Sequence, residues 1–305
     1  MRVLLLGADG FLGRHVAERL LADPAVQLTA LGRSDDADVR FDLADGAPGV
    51  LARFLDAVHP GVVINCAGST RGNARELIRQ NTVAVATVCE ALRRSAVAAR
   101  LVQIGCGSEY GPSPAGASTG EDAMPRPGGP YGVSKLAGTE IVLGSGLDAV
   151  VLRVFSPVGP GTPTGAPLGR IAEALRRAMQ NGEPELKLGG LTAQRDFVDV
   201  RDVARAVHAA SLSAAQGVVN IGSGRAIRLR DMAAALAHVA GYEGVLHELD
   251  EPPGGVPGAH PPYPDGCGLW QQADIRTARD RLGWRPRIAL EESLADVWME
   301  AACRV

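Results

Sequence analysis

The opening stretch RVLLLGADGFLGRHVAERLLAD, residues 2–23, constrains the fold more than anything that follows it. Val3 to Leu6 are continuously apolar and stop at Gly7, the pattern of a strand buried on both faces. From Phe11 the apolar residues recur at helical spacing and end before Pro24. Between strand and helix, Gly7, Gly10 and Gly13 stand at GxxGxxG spacing. Glycine permits the tight turn and lets a pyrophosphate approach the backbone, and the helix N-terminus offers free N–H groups with positive dipole character. A strand, a glycine turn and a helix in this order predict a dinucleotide-binding unit.

The same alternation continues. Strands are predicted at VQLTALG, DVRFDL, GVVINCAG, ARLVQIG and LDAVVLRVF. Helices are predicted at GVLARFLDAV, at ARELIRQNTVAVATVCEALRRS as one long helix, and from Tyr131 to about Leu143. This order implies a parallel sheet with right-handed crossovers. The second half is richer in Gly and Pro, with short strands at LKLGG, RDFVDV and GVVNIG and helices over 168–181, 201–213 and 229–240. Residues 251–268, EPPGGVPGAHPPYPDGCG, read as an irregular loop. The expected architecture is α/β: a Rossmann-type doubly wound parallel sheet over residues 1–156 and a smaller C-terminal substrate-binding lobe over 157–305. The two are expected to interleave through RDFVDVRDVARAVHAAS.

A net charge of −3 and a pI near 6.1 argue against nucleic-acid or anionic-membrane partners. The five cysteines include no CxxC pair, which fits reduced thiols in a cytoplasmic protein rather than a disulfide framework. The first apolar run is too short for a signal peptide or a membrane span. No metal site is expected.

The second strand ends in LGRS, so Gly32 and Arg33 stand where an acid would hold the ribose 2′-hydroxyl of NAD. An arginine there can fork onto a 2′-phosphate, which favours NADP(H). Asp35 and Asp36 follow closely and keep NAD open. Asp42 is placed to accept from the adenine amino group, and Cys66, Ala67 and Gly68 end the fourth strand at the carboxyl edge, where ligands bind. The 31 basic residues include only two lysines, Lys135 and Lys187. Lys135 lies one helical turn after Tyr131, on the same face. An ammonium beside a phenol favours the phenolate, so the pair can pass a proton to a sugar or ketone oxygen near neutral pH. Arginine is a poor substitute, because its fork is not a compact, rotatable point charge.

With these residues the chain resembles the extended short-chain dehydrogenase/reductase family, the NAD(P)-dependent epimerase/dehydratase group acting on nucleotide sugars. The resemblance spans nearly the whole chain: GADGFLG, NCAG, Asn81, GCGSEYG, PYGVSK, VFSPVGPG, QRDFVDVRDVARA, NIGSG and LGWRP. It implies a cofactor shell that adds Asp9, Phe11, Leu12, Ser34, Leu43 and Asn81 to the residues above, with Tyr131 and Lys135 serving both cofactor and chemistry. It implies a substrate site at Cys106, Ser108, Ser156 and Arg195, and a homodimer built on the Tyr131 helix and the long helix before it. Arg195 is expected on the substrate diphosphate, with a fold-stabilising pair to Asp196 or Asp199 as the alternative.

One position departs from the family. Cys106 stands where relatives carry Ser or Thr, and a thiol is a weak donor. Ser108 is therefore expected as the hydroxyl partner, with Cys106 itself as the alternative. Gly107 and Ser108 replace the Asp-Glu pair that the family's dehydratases use, which argues against dehydration. Arg33 argues against the NAD-recycling epimerases. What remains is NADPH-dependent reduction of the 4-keto group of a nucleotide-linked 4-keto-6-deoxyhexose. Epimerisation and a non-catalytic NADP-binding role stand as alternatives.

Overall fold

β1 (Arg2–Leu6) shows why the first strand sits at the centre of the molecule. Val3 and Leu5 join the core on one face of the sheet, and Leu4 and Leu6 join the core on the other. All four are 1 % exposed or less, as a strand covered on both faces requires. The computed structural model describes residues 1–35, 37–249 and 269–304. The loop expected at 251–268, with Cys267, and Asp36 lie outside the described residues.

In chain order the first half runs α1 (Phe11–Leu21), β2 (Gln27–Gly32), β3 (Val39–Arg40), α2 (Pro48–Val58), β4 (Val62–Asn65), α3 (Ala74–Ile78), a π-helical turn (Arg79–Val83), α4 (Ala84–Arg94), β5 (Arg100–Cys106), α5 (Pro130–Leu143) and β6 (Ala149–Val154). Two expectations are corrected here. The third strand is only two residues long. The helix expected in one piece from 74 to 95 is broken by the π-turn, inside which Asn81 turns inward. Such insertions into a helix recur at functional sites.

The second half runs β7 (Ser156–Val158), α6 (Pro167–Asn181), β8 (Glu185–Gly189), β9 (Gln194–Asp199), α7 (Val200–Leu212), β10 (Gly217–Ile221), β11 (Ala226–Arg228), α8 (Leu229–Ala240), β12 (Val245–Leu249), α9 (Arg276–Leu282) and α10 (Leu290–Ala302). The main sheet has the order β10-β6-β5-β4-β1-β2-β3, with every neighbouring pair parallel. Strand order reverses between β1 and β4, which opens a crevice at their carboxyl ends.

The chain leaves this sheet after β6 and later returns to it. α7 packs on α1, and β10 pairs with β6 from Gly217↔Val150 to Ile221↔Val154. Outside that sheet, α6 and β8 from before the return and α8 and α10 from after it enclose a separate core around Leu175, Ala193 and Leu236. The small sheets β11-β9-β7 and β12-β8 belong to this part of the fold. Asp202, fully buried, ties the return in place: it accepts from the backbone N–H groups of Arg287 and Ile288 at 2.7 and 2.9 Å, and its carbonyl accepts from the Trp284 indole at 2.9 Å. Among the described residues no helix is long and apolar enough to cross a membrane.

Candidate active site

The glycine turn is built by close approach. Gly7 has φ +75°, and a Cβ there would lie 2.8 Å from the Ala67 Cα; a Cβ at Gly13 would drive into the Gly7 carbonyl. The turn is thus pressed onto the end of β4 and onto the start of α1. No side chain caps α1 at Gly10, so its first-turn N–H groups face the crevice. A cleft of about 180 Å³ lies there. Of the sequence-predicted cofactor residues, Gly7, Asp9, Gly10, Arg33, Asp42, Leu43, Cys66, Ala67 and Gly68 line it.

Phe11, Leu12, Gly13, Ser34, Asn81, Tyr131 and Lys135 do not line this cleft. Leu12 packs on the core, the Phe11 ring meets the Arg14 guanidinium at 6.0 Å, and Ser34 sits in the bend after β2. Leu31, Gly32, Phe41, Gln80 and Ala84 complete the lining, and no sequence pattern points to them as a group. Gln80 faces Arg33 across the mouth, with its amide oxygen 3.5 Å from the guanidinium. An unbroken helix, which the apolar spacing predicts, gives no reason to single out Gln80; the π-turn does.

The residues predicted for catalysis lie deeper. Lys135 is buried and donates to the Ile104 carbonyl at 2.7 Å. Burial pushes its ammonium below the usual lysine range, while nearby Glu109, Cys106 and Cys66 act in the opposite direction. The Tyr131 hydroxyl is hydrogen-bonded with the Cys106 sulfur. Ser108, 2 % exposed, donates its hydroxyl to that sulfur at 2.9 Å and its backbone N–H at 3.5 Å. Burial raises the Cys106 thiol above its usual value, against the hydrogen bonds of Ser108 and Tyr131 and the charge of Lys135. Burial likewise pushes Cys66 up to about 12. The site therefore keeps its thiols protonated.

Asn81 connects the two ends. Its amide nitrogen donates to the Ser69 carbonyl at 2.8 Å and to the Ser134 hydroxyl at 2.9 Å, and its oxygen accepts from the Ser69 N–H at 2.8 Å. The Ser134 hydroxyl donates in turn to the Tyr131 carbonyl at 2.7 Å. The loop after β4 is thereby fixed against the helix that carries Tyr131 and Lys135.

Glu109 lies inside GCGSEYG, and its surroundings in sequence give it no role of its own. In the fold it is fully buried, accepts from the Cys106 N–H at 2.7 Å and pairs with Arg153 at 2.7 Å. The Arg153 guanidinium lies 4.5 Å over the Tyr110 ring. The register pairing Gly105 with Arg153 brings these residues together, a contact that local sequence does not reveal.

Ser156 opens β7, half-buried, next to Phe155. Arg195 is 3 % exposed in β9, and one of its donors meets the Gln194 carbonyl at 3.0 Å. The neighbouring acids have other partners. Asp196 accepts from Ser223, Gly224 and Ala273, and Asp199 from Arg201 and Ser293. Among the described residues no group of three or more His, Cys, Asp or Glu side chains could hold a metal ion.

Residues 3–222 match the family model described as the NAD dependent epimerase/dehydratase family. The chain belongs to that family. A relative from Kitasatospora kifunensis, dTDP-6-deoxy-L-talose 4-dehydrogenase (NAD(P)(+)), is 38% identical over 97% of this chain and 94% of its own length. GDP-6-deoxy-D-mannose reductase from Pseudomonas aeruginosa is 28% identical over 100% of this chain and 98% of its own. Among solved structures, MoeE5 in complex with UDP-glucuronic acid and NAD superposes with TM-score 0.79 at 28% identity, covering 98% of this chain and 99% of that one. The family's dinucleotide fits the residues present: a turn with no room for side chains, an uncapped helix start and a cleft rimmed by Arg33.

Proposed function

We propose that this protein reduces the 4-keto group of a nucleotide-linked 4-keto-6-deoxyhexose with NADPH. The observation that carries this reading is the composition of the chemical end. Tyr131, Lys135 and Cys106 meet there, with no carboxylate pair among the described residues beside them to move protons at carbon. A Cβ at Gly107 would lie 3.1 Å from the Phe155 ring, so a side chain there is tightly confined. The nearby carboxylate of Glu109 is held by Arg153 and the Cys106 N–H. The two relatives named for dTDP- and GDP-linked 6-deoxysugars support the substrate class.

Bound NADPH supplies the hydride. Tyr131 donates the phenolic proton to the carbonyl oxygen as charge develops on it. Lys135, anchored on Ile104, presents a fixed cation to the phenol and to the nicotinamide ribose. Cys106 takes the front position beside the tyrosine, and Ser108 stands behind it as a positioning residue, since its hydroxyl already points at the sulfur. This reading takes the alternative named from sequence, Cys106, over Ser108. Arg33 holds the 2′-phosphate. Arg195 and the lobe hold the nucleotide diphosphate, which provides binding energy that a bare sugar lacks. Exposed Val83, Val133 and Leu143, on the π-turn and α5, are in keeping with a homodimer.

The test is NADPH oxidation with dTDP- and GDP-4-keto-6-deoxyhexoses, the product being read by NMR. Turnover of a nucleotide-linked ketone with a new C4 hydroxyl is the expected result. Equal turnover of the free keto-sugar removes the nucleotide-sugar assignment.

A further inference from the structure

The tip of β2 is bare where a dinucleotide site needs an acceptor for the adenosine ribose, because Gly32 has no side chain there. The structure fills that space from another element. A Cβ built on Gly32 would lie 3.5 Å from Asp9 Oδ1 and 3.9 Å from its carboxyl carbon. Asp9 belongs to the glycine turn, yet its carboxylate stands at the edge of the cleft beside the end of β2.

The other acids in this region have duties of their own. Asp42 accepts from the Ala44 N–H at 2.8 Å, Asp38 from the Ala30 N–H at 2.8 Å, and Asp35 pairs with Arg40 at 2.9 Å. Asp9 has no such partner among the described residues, and it is solvated rather than buried. Arg33 lies in the same cleft and meets Gln80. The cleft therefore carries a carboxylate and a guanidinium on different elements.

We propose that Asp9 is the acceptor for the adenosine 2′-hydroxyl and that, with Arg33, it lets the one cleft take both NAD(H) and NADP(H). This rests on the reading of the cleft as a dinucleotide site. A carboxylate accepts from a hydroxyl and repels a phosphate; a guanidinium does the reverse. Each residue thus favours one cofactor at the other's expense, and neither excludes its disfavoured form, because both are open to solvent.

The test uses three fragments that differ only at the 2′-position: 5′-AMP, 2′-deoxy-5′-AMP and adenosine 2′,5′-bisphosphate. Their affinities are measured calorimetrically on the wild-type chain and on Asp9→Asn, Asp9→Ala and Arg33→Ala. The wild-type chain is expected to bind 5′-AMP about tenfold more tightly than its deoxy form, the size of one charged hydrogen bond. In both Asp9 variants that gap closes, and the bisphosphate binds as well as before or better. Each comparison is made between ligands on one protein, so a partly destabilised variant still gives an answer. Equal wild-type binding of 5′-AMP and its deoxy form overturns the inference, as does a gap that survives both Asp9 variants. If none of the three fragments binds, the cleft reading falls and takes the inference with it. If Arg33→Ala keeps full affinity for the bisphosphate while the Asp9 results hold, only the assignment of Arg33 is lost.

Discussion

The outer end of the site, the cleft around Arg33, and its inner end, the buried cluster around Lys135, are built on opposite principles. At the outer end, Asp9, Arg33 and Gln80 are in or near solvent, and the contact between Arg33 and Gln80 is long. At the inner end, Lys135, Ser108 and Glu109 are buried, and each is committed to a partner within 3 Å. Exposed charges are screened and exchangeable, so the charges of the outer end can be changed without disturbing the fold. Buried polar groups are costly to leave unpaired, so the inner end cannot be altered one group at a time. The two ends thus differ in their tolerance of change.

The sharpest test of the inner end is Tyr131→Phe. It removes the proton donor and should lower kcat by about 10²- to 10⁴-fold while NADPH still binds. A variant with near wild-type kcat would remove Tyr131 from the chemistry. Next in size is Glu109→Ala, which strands Arg153 in the interior. Denaturant unfolding should show a loss of about 3–5 kcal/mol. A loss below about 1 kcal/mol would mean the buried pair is no more than a surface pair in its effect.

At the outer end, Arg33→Asp should change the ratio of kcat/KM for NADPH over NADH by tenfold to a hundredfold, about 1.5–3 kcal/mol, with the melting temperature unmoved. If the melting temperature falls as for Glu109→Ala, the contrast between the two ends is wrong. Within the inner end, single-turnover reduction should slow more in Cys106→Ala than in Ser108→Ala, because the hydroxyl acts through the sulfur. The opposite ranking would put Ser108 at the substrate.

The smallest effect is one of pH. Cys66, pushed up to about 12 from a usual value of 9.0, keeps its proton in the folded chain where the unfolded chain releases it. The folded state binds more protons across that window, so stability falls as pH rises above about 9. The ceiling is about 1.4 kcal/mol per pH unit. Cys66→Ala should flatten the decline in melting temperature between about pH 9 and 10.5, and an unchanged slope would mean the thiol is not held protonated by the fold.

How much of this the sequence reveals follows from the range of each interaction. The glycine turn and the Tyr131–Lys135 helix are local patterns, with every residue of each within one or two turns of chain. They are legible for that reason. Gln80 is not, because Asn81 draws the helix into a π-turn through partners at Ser69 and Ser134 that lie far off in sequence. Glu109 meets Arg153 through strand register, and Asp9 reaches Gly32 through the closure of two separate turns. The lobe is legible as short strands and helices, but the contacts of Arg195 and Asp196 depend on how β9 and β11 meet. Donor strength alone ranks Ser108 ahead of Cys106 as the substrate's partner. The turn after β5 adds what donor strength does not show, the hydrogen bond from the Ser108 hydroxyl to the Cys106 sulfur.

Net reduction at C4 by the inner end is tested most directly by isotope transfer. The enzyme is incubated with NADPH carrying deuterium at the transferable position and with a dTDP- or GDP-4-keto-6-deoxyhexose. The predicted result is one deuterium at C4 of the product sugar for each NADPH oxidised. Interconversion of sugar epimers with the label retained on the cofactor and no net NADPH consumption would contradict it.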